Sequence, residues 1–340
     1  MYKVSVIIPV YNAKNTIKHT INSVINQTLG FKNIELVLVD DNSNDGSKQI
    51  IEDYADRYDN VKPIFLNKNS GHASYPRNVG IENSTAEYLI FMDSDDEIFE
   101  DYCEILLDAI TRSDVEIVNC NHASKLDGTV YIPKSIDNID FSQKQCSEVE
   151  KMFLNHTAWG NIYKSSLIKN NDINFPDSLH EDGVFSVHCL LKTEKPVIYL
   201  PNYPGYIYSV ANDDSLTNKM DLNSLSLFLK GYTLCDELVK EHKRFDIEQS
   251  IMGTFTNMTV FILLKIDNLD EGIRMVYDYE QSFDFEIILG SKPLELINSK
   301  IKSKQFLQAK ILLKLMGIFY NNNKIRKYLF INYSNLKTLD

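Results

Sequence analysis

Asp93-Ser94-Asp95 follows the apolar run Tyr88-Leu89-Ile90-Phe91-Met92, so two carboxylates sit one residue apart where a buried strand should end. At that spacing they can share one divalent cation. Hard oxygen ligands suit Mg²⁺ or Mn²⁺, and a cation held by so few protein groups completes its shell with substrate phosphates. That is chemistry on a nucleotide diphosphate. The plainer reading is a strand followed by an acidic helix cap, since carboxylates also favour a helix's first turn. The D-x-D triplet alone does not separate the two.

The elements that must position it are legible upstream. Lys3 to Tyr11 (KVSVIIPVY) is apolar and rich in β-branched residues, which predicts a strand buried on both faces. Pro9 is expected to end it, because proline cannot donate to a ladder. A polar helix follows, with Ile17, Ile21, Val24 and Ile25 at helical spacing. Ile34 to Val39 (IELVLV) predicts a second buried strand carrying Asp40-Asp41-Asn42-Ser43 at its carboxyl end. Ligands of open α/β sheets bind at those ends, so Tyr11-Asn12, Asp40-Asp41 and Asp93-Asp95 should converge on one crevice.

Asn69 to Asn78 (NSGHASYPRN) reads as a loop turning into a helix, with Pro76 tolerated in the first turn. Arg77 then lies where a guanidinium and backbone N–H groups can meet phosphate or ribose oxygens. Its plain alternative is a surface salt bridge. Further on, Glu181-Asp182 opens an amphipathic helix carrying Val187, Leu190 and Leu191. Like-charge repulsion raises both pKa values and the helix dipole lowers them, so either carboxylate can be poised to take a proton. An ordinary acidic cap is the competing explanation.

VSVIIPVYN, VLVDDNSNDGS, the R-N-x-G segment from Arg77, YLIFMDSDD and HEDG together resemble an inverting glycosyltransferase of family 2, over about the first 220 residues. The resemblance implies an α/β GT-A nucleotide-sugar-binding fold, a Rossmann-like mixed sheet flanked by helices. It also implies nucleotide contacts at Pro9, Tyr11, Asp40, Asp41, Asn69, Arg77, Asp93 and Ser94. Metal binding would fall to Asp93 and Asp95, and the base that deprotonates the acceptor to Asp182, with Glu181 aligning it or touching the metal. Physically, an ionised Asp40 or Asp41 can accept the N–H of a uracil ring in a charge-assisted bond. One of the two is expected to do that while the other caps the helix starting near Asp45-Gly46-Ser47. Gly71 to Arg77 is one residue longer than the common family form and contains a proline, a variant similar to the enzymes that decorate wall teichoic acid. Trp159 and Tyr163 resemble the family's acceptor-side element, and Tyr206, Tyr208 and Ser215-Leu216-Thr217 a loop that covers bound nucleotide.

At 340 residues and 44% hydrophobic content, the chain is large enough for an enzyme domain plus an addition. No apolar run approaches the ~20 residues that span a bilayer, and the N-terminal run lacks a cleavage site. A cytoplasmic location follows as the expectation. Cys103, Cys120, Cys146, Cys189 and Cys235 have neither paired nor ligand spacing, which points to reduced thiols and away from zinc.

The net charge of -12 is unevenly spread: from Lys292 onward ten Lys or Arg face two acids, leaving a tail of +8 and a remainder of -20. Such a tail can meet anionic headgroups at the inner face of a membrane, or an anionic polymer. Nucleic acid is not expected, because no aromatic residues interleave with the basic ones. Beyond a boundary near Asp213 to Asn223 the pattern becomes helical. Leu225, Phe228, Leu229, Tyr232, Cys235, Leu238 and Val239 form one stripe, Met252, Phe255, Met258, Phe261 and Ile262 another, and Phe306, Ala309, Leu312, Leu313 and Met316 a third. Residues 1–220 are thus read as a catalytic domain and 221–340 as a helical region that serves as acceptor platform or homo-oligomer contact.

The function expected is transfer of a sugar from a UDP-sugar or similar donor to a hydroxyl of a glycan, a polyol-phosphate polymer such as teichoic acid, or a lipid-linked precursor. A non-catalytic nucleotide-sugar-binding module that recruits a partner through its helical tail is the rival, although a binder needs no Glu-Asp pair. A nicotinamide-dependent oxidoreductase would need a G-x-G-x-x-G turn, which is absent.

Overall fold

The computed structural model describes residues 1–146, 157–210, 220–244, 259–260, 262–281, 292–320 and 336–339. They fall into two compact units: 1–177 with 181–211 and 337–340, and 178–180 with 212–336.

The first unit begins as alternating strands and helices: β1 (Val4–Val10), α1 (Ile17–Ile25), β2 (Ile34–Asp40), α2 (Ser47–Ala55), β3 (Val61–Phe65), α3 (Ser74–Asn83) and β4 (Tyr88–Phe91). All seven residues of β1 and of β2 are buried, as suits apolar strands rich in β-branched residues and covered on both faces, with Ser5 bonded to Glu35 between them. β5 (Glu97–Ile98), α4 (Tyr102–Ser113), β6 (Ile117–Cys120), β7 (His122–Leu126), β8 (Thr129–Pro133), β9 (Lys144–Cys146), β10 (Asn161–Lys164), α5 (Ser165–Asn170), α6 (Glu181–Lys192), β11 (Val197–Leu200) and β12 (Tyr206–Ser209) follow.

Eight strands form one mixed sheet in the order β3-β2-β1-β4-β10-β6-β11-β9. The β3-β2-β1-β4 half is parallel throughout, and β10 runs antiparallel between β4 and β6. A smaller sheet sets β8-β7-β12-β5 side by side. Pro9 does not end β1: the strand continues through it to Val10. β4 pairs β1 only from Val4 to Ile7, so Pro9 has β2 alone as a partner and its missing N–H costs no ladder bond on the other side.

Helix α3 lies close on β1. A Cβ at Gly80 would come within 2.3 Å of Ile7 Cγ2, so only glycine permits this approach. One turn earlier, Arg77 is thereby carried against the end of β4.

In the second unit α7 (Leu222–Glu241) buries Leu225, Phe228, Leu229, Tyr232, Cys235 and Val239, the face its periodicity marks. A capping box at Asp221 and Ser224 starts it. α8 (Leu269–Glu280), α9 (Lys292–Lys302) and α10 (Phe306–Tyr320) follow, with Ala309 and Leu313 of α10 buried. A short β13 (Leu336–Thr338), which from Lys337 belongs to the first unit, lies at the edge of the smaller sheet next to β8. The stripe at Met252, Phe255, Met258 and Phe261, and the segment Ser215-Leu216-Thr217, lie outside the described residues. Among the described residues no helix is long and apolar enough to cross a membrane. All five cysteines are buried free thiols.

Candidate active site

Because β2, β1 and β4 are adjacent and parallel, their carboxyl ends bring Asp40-Asp41, Pro9 to Asn12 and Asp93 to Asp95 to one rim of the sheet. The turns after β1 and β2 are tied together. The Asn12 N–H donates to Ser43 Oγ at 2.9 Å, the Asn44 N–H to Asn12 Oδ1 at 3.0 Å, and the Ala13 N–H to Ser47 Oγ at 2.8 Å. Asn12 and Asn42 hold φ of 49° and 61°, the left-handed region that asparagine tolerates.

Within this region the two aspartates differ. Asp41 accepts from the Asn69 amide at 3.0 Å, the Ser70 N–H at 3.0 Å and the Ser70 hydroxyl at 2.8 Å, so it fixes the loop before α3. Asn69 has its own oxygen bonded by the Gly71 N–H. Asp40 is 2% exposed and receives the Ser43 N–H at 3.1 Å through Oδ2, while its buried Oδ1 has no partner. Such an orphaned acceptor fits a donor from a bound molecule. Beside it Tyr11 is 50% exposed and Pro9 buried. Neither Asp40 nor Asp41 caps α2, contrary to the expectation. The cap position is Gly46, which has no side chain to offer, and Asp45 just before it accepts the Ser47 N–H at 2.9 Å and its hydroxyl at 2.6 Å.

A second cluster centres on Arg77. Its side chain makes salt bridges, but buried ones and not on the surface: the residue is 4% exposed and serves two carboxylates. Nη2 donates to Asp93 at 2.6 Å and Nη1 to Glu181 at 2.7 Å, while the guanidinium lies 5.2 Å from the centre of the Phe175 ring. Burial works against the charge, but Asp93 and then Glu181 outweigh it and hold the pKa above its ordinary value. Phe175 stacks on Phe185 of α6 at 3.9 Å and meets Phe91 of β4 edge-on, an apolar backing that fixes the ends of both elements. Asn78 pairs both ways with the Phe175 backbone at 2.8 Å, Ser74 donates to the Pro176 carbonyl at 2.8 Å, and His72 meets Asp177 at 2.5 Å.

Glu181 and Asp182 occupy the first turn of α6. Burial pushes Asp182 up to about 6, with Arg77 drawing it down and Asp93 pushing it further up. A carboxylate of that pKa is ionised near neutrality yet basic enough to take a proton. Asp93, Ser94 and Asp95 are half-buried on the loop that leaves β4. No group of three or more His, Cys, Asp or Glu is gathered as a cation cage among the described residues. Two hard carboxylates with an open side suit a cation that takes its remaining ligands from a diphosphate and water, and the donor set fits Mg²⁺ or Mn²⁺ on that basis.

Sequence reading passed over Asp96, Thr20 and Ser209. Asp96 is buried, and burial followed by the charges of Asp93 and Asp95 raises it well above the usual carboxylate range. It accepts from the Tyr206 hydroxyl at 2.6 Å and the Ser209 N–H at 2.8 Å. Its place in D-S-D-D was visible, but its burial was not. Trp159 is 9% exposed and stacks on Tyr206 at 4.6 Å and Tyr208 at 5.7 Å, so the protein's own rings occupy much of the indole. Tyr163 is wholly buried.

The model of Glycosyl transferase family 2 matches residues 5–173. The poly(ribitol-phosphate) beta-N-acetylglucosaminyltransferase TarP of Staphylococcus aureus is 34% identical over 236 residues, 66% of this chain and 67% of that protein. The poly(ribitol-phosphate) beta-glucosyltransferase of Bacillus spizizenii is 28% identical over 332 residues, 95% of this chain and 49% of its own length. The chain spans 30% and 49% of the length of two of the curated relatives it matches. Among solved structures, residues 1–349 of S. aureus TarS in complex with UDP superpose with a TM-score of 0.70 at 22% identity, covering 92% of this chain and 90% of that one. That likeness establishes the GT-A fold, with its mixed sheet flanked by helices and its helical C-terminal extension. The match over 5–173 and the identity to TarP across two thirds of its length place the chain in glycosyl transferase family 2.

Proposed function

We propose that this glycosyltransferase moves a sugar from a UDP-sugar to a hydroxyl of a polyol-phosphate polymer of the teichoic acid type, with inversion and with help from a divalent cation. The observation that carries the reading is the cluster of Asp93, Arg77, Glu181 and Asp182, where a carboxylate near pKa 6 stands beside a metal-type pair at the end of a nucleotide-binding sheet. TarS structures hold UDP or UDP-GlcNAc, two relatives are named as poly(ribitol-phosphate) transferases, and a more distant mannosyltransferase was solved with GDP-Man and Mn²⁺. These support the donor, acceptor and cation classes.

In this reading Asp40 Oδ1 accepts the N–H of the base and Tyr11 offers its exposed ring beside it. Asp41 and Asn69 hold the loop that carries Arg77. Asp93 and Asp95 would hold Mg²⁺ or Mn²⁺, which supplies positive charge to the departing diphosphate. Asp182 takes the proton of the acceptor hydroxyl as its oxygen attacks the anomeric carbon, and Glu181, fixed by Arg77, keeps the start of α6 in register. Residues 1–220 serve as the catalytic domain and 221–340 as the acceptor platform or oligomer contact. The basic tail meets an anionic polymer or the inner face of a membrane.

Thermal unfolding with UDP-, GDP- and CMP-sugars plus Mn²⁺ tests the donor, since a ligand of the native state raises the midpoint by mass action. A selective rise with one UDP-sugar, followed by its transfer to poly(ribitol phosphate) detected by mass spectrometry, is the expected result. Binding without transfer or hydrolysis would leave the nucleotide-sugar-binding module as the surviving reading.

A further inference from the structure

Between Phe91, where β4 ends, and Glu97, where β5 begins, the chain leaves the eight-stranded sheet and enters the smaller one. A connection between two sheets has no ladder of its own, so its shape is set by the partners its polar groups find. Here they are found at nearly every position. The Met92 N–H donates to the Ile7 carbonyl at 3.1 Å, and the Thr20 hydroxyl donates to the Ser94 carbonyl at 3.0 Å. The Asp96 N–H donates to the Asp93 carbonyl at 3.3 Å and Arg77 pairs with the Asp93 side chain, and four further contacts reach β12. The Asp93 N–H donates to the Tyr206 hydroxyl oxygen at 3.2 Å, and that hydroxyl donates to Asp96 Oδ2 at 2.6 Å. Ser209 donates its N–H to Asp96 Oδ1 at 2.8 Å and its hydroxyl to the Asp95 carbonyl at 2.6 Å.

We propose that Asp96, with Tyr206 and Ser209, forms a tether that presets the loop for cation binding, so that Asp96 is a positioning residue and not a third metal ligand. This rests on the reading that Asp93 and Asp95 hold a divalent cation. Asp96 is 1% exposed and each of its oxygens already accepts a bond from β12, so a cation reaching it would have to displace those donors. The tether acts on main-chain atoms of the two residues whose side chains would coordinate: the N–H of Asp93 and the carbonyl of Asp95. β12 is itself anchored, pairing with β5 at Tyr206↔Ile98 and with β7 along its length, while Trp159 stacks on the Tyr206 ring with planes 12° apart. A loop held in its binding shape does not lose conformational freedom when the cation arrives, and releasing it transfers that ordering cost to binding.

The test is a Mn²⁺ titration of the full chain in the presence of saturating UDP, read by the electron paramagnetic resonance of free Mn²⁺, with UDP affinity in EDTA measured in parallel. Asp96→Asn keeps the shape but turns an N–H₂ group toward one of its two donors, and Tyr206→Phe removes the shared hydroxyl. Each should weaken Mn²⁺ binding by about tenfold, the double variant little further, and Ser209→Ala by about threefold, because one network is broken at different points. UDP affinity in EDTA should stay within about twofold, since the tether touches no atom of the base site. Wild-type Mn²⁺ affinity in the folded variants overturns the tether. So does a parallel collapse of UDP binding in EDTA, which would mark general damage to the site. If Asp96→Asn fails to fold, Ser209→Ala decides, because it deletes only the half-buried hydroxyl. Wild-type protein that takes up no Mn²⁺ with UDP overturns the cation reading itself, and that outcome is recognised before any variant is made.

Discussion

Two acidic clusters stand at the ends of β2 and β4, the strands on either side of β1, and are neutralised in different ways. At the end of β2, Asp41 is satisfied by neutral donors, an amide, a hydroxyl and a backbone N–H, all from the loop before α3. At the end of β4, the buried cation Arg77 serves Asp93 and Glu181, and Asp182 beside them is pushed up to about 6. Hydrogen bonds from neutral groups stabilise a carboxylate without adding positive charge. The first cluster can therefore stay closed and use one open oxygen for recognition, whereas the second gathers more negative charge than one guanidinium balances. That imbalance suits a site built to receive a cation and a proton.

The contrast is broken most severely at Asp95. Asp95→Ala should abolish sugar transfer and Mn²⁺-dependent UDP binding while circular dichroism stays that of wild type, since a sparse ligand set loses half its protein charge. Full turnover of this variant, or of wild type in EDTA, would place the cation elsewhere. Next in size is Asp182→Asn, which keeps volume and hydrogen bonding but cannot take a proton. Turnover should fall by ~10² or more with donor affinity nearly unchanged. If donor affinity falls with turnover, Asp182 belongs to the nucleotide site.

Removing the buried cation probes the neutralisation directly. Arg77→Ala leaves Asp93 and Glu181 facing each other and should lower the unfolding free energy by about 3 kcal/mol, read from urea midpoints. A loss within experimental error would mean that Arg77 is not the group that balances them. The pH dependence sharpens the same point with a smaller effect. A base whose pKa is raised to about 6 is ionised above that pH and protonated below it. kcat/KM should therefore be flat above about pH 7 and fall about tenfold per unit on the acid side of 6. A profile that stays flat down to pH 4.5 would remove Asp182 as the base. Smallest is Asp40→Asn, which replaces an orphaned acceptor with an amide and should raise the UDP dissociation constant by about tenfold without changing Mn²⁺ affinity. Calorimetry with UDP separates the two quantities, and an unchanged UDP affinity would free Asp40 from the base site.

Much of this arrangement was written in local pattern. The largely apolar runs Val4 to Val10 and Ile34 to Asp40 are buried at every residue, so their enrichment in apolar and β-branched residues correctly read as strands covered on both faces. Their order put Tyr11, Asp40 and Asp93 at one rim, and the motif spacing gave the family. Helix α7 buries the stripe its period marked. Where local rules failed, a neighbouring strand or residue was responsible. Pro9 stays within β1 because β4 has already ended beside it, and the first N–H of α2, on Ser47, bonds Asp45 and not Asp40 or Asp41, whose carboxylates are engaged at the end of β2.

Only the tertiary structure decided what each charge does. Sequence assigned Arg77, Asp93 and Glu181 each a role toward a ligand, with Arg77 16 residues from Asp93 and 104 from Glu181, but not their pairing with one another. Their meeting depends on Gly80, whose missing side chain lets α3 settle onto Ile7 and carries the guanidinium to the end of β4. The same holds for Asp96: its type and position were plain beside Asp95, but its partners Tyr206 and Ser209 come from a strand more than a hundred residues later. Residue type and spacing fix which groups are available and which strand ends carry them, because those depend on local periodicity. Burial, pairing and the pKa that follows depend on dielectric surroundings assembled from distant segments, and those exist only once the chain has folded.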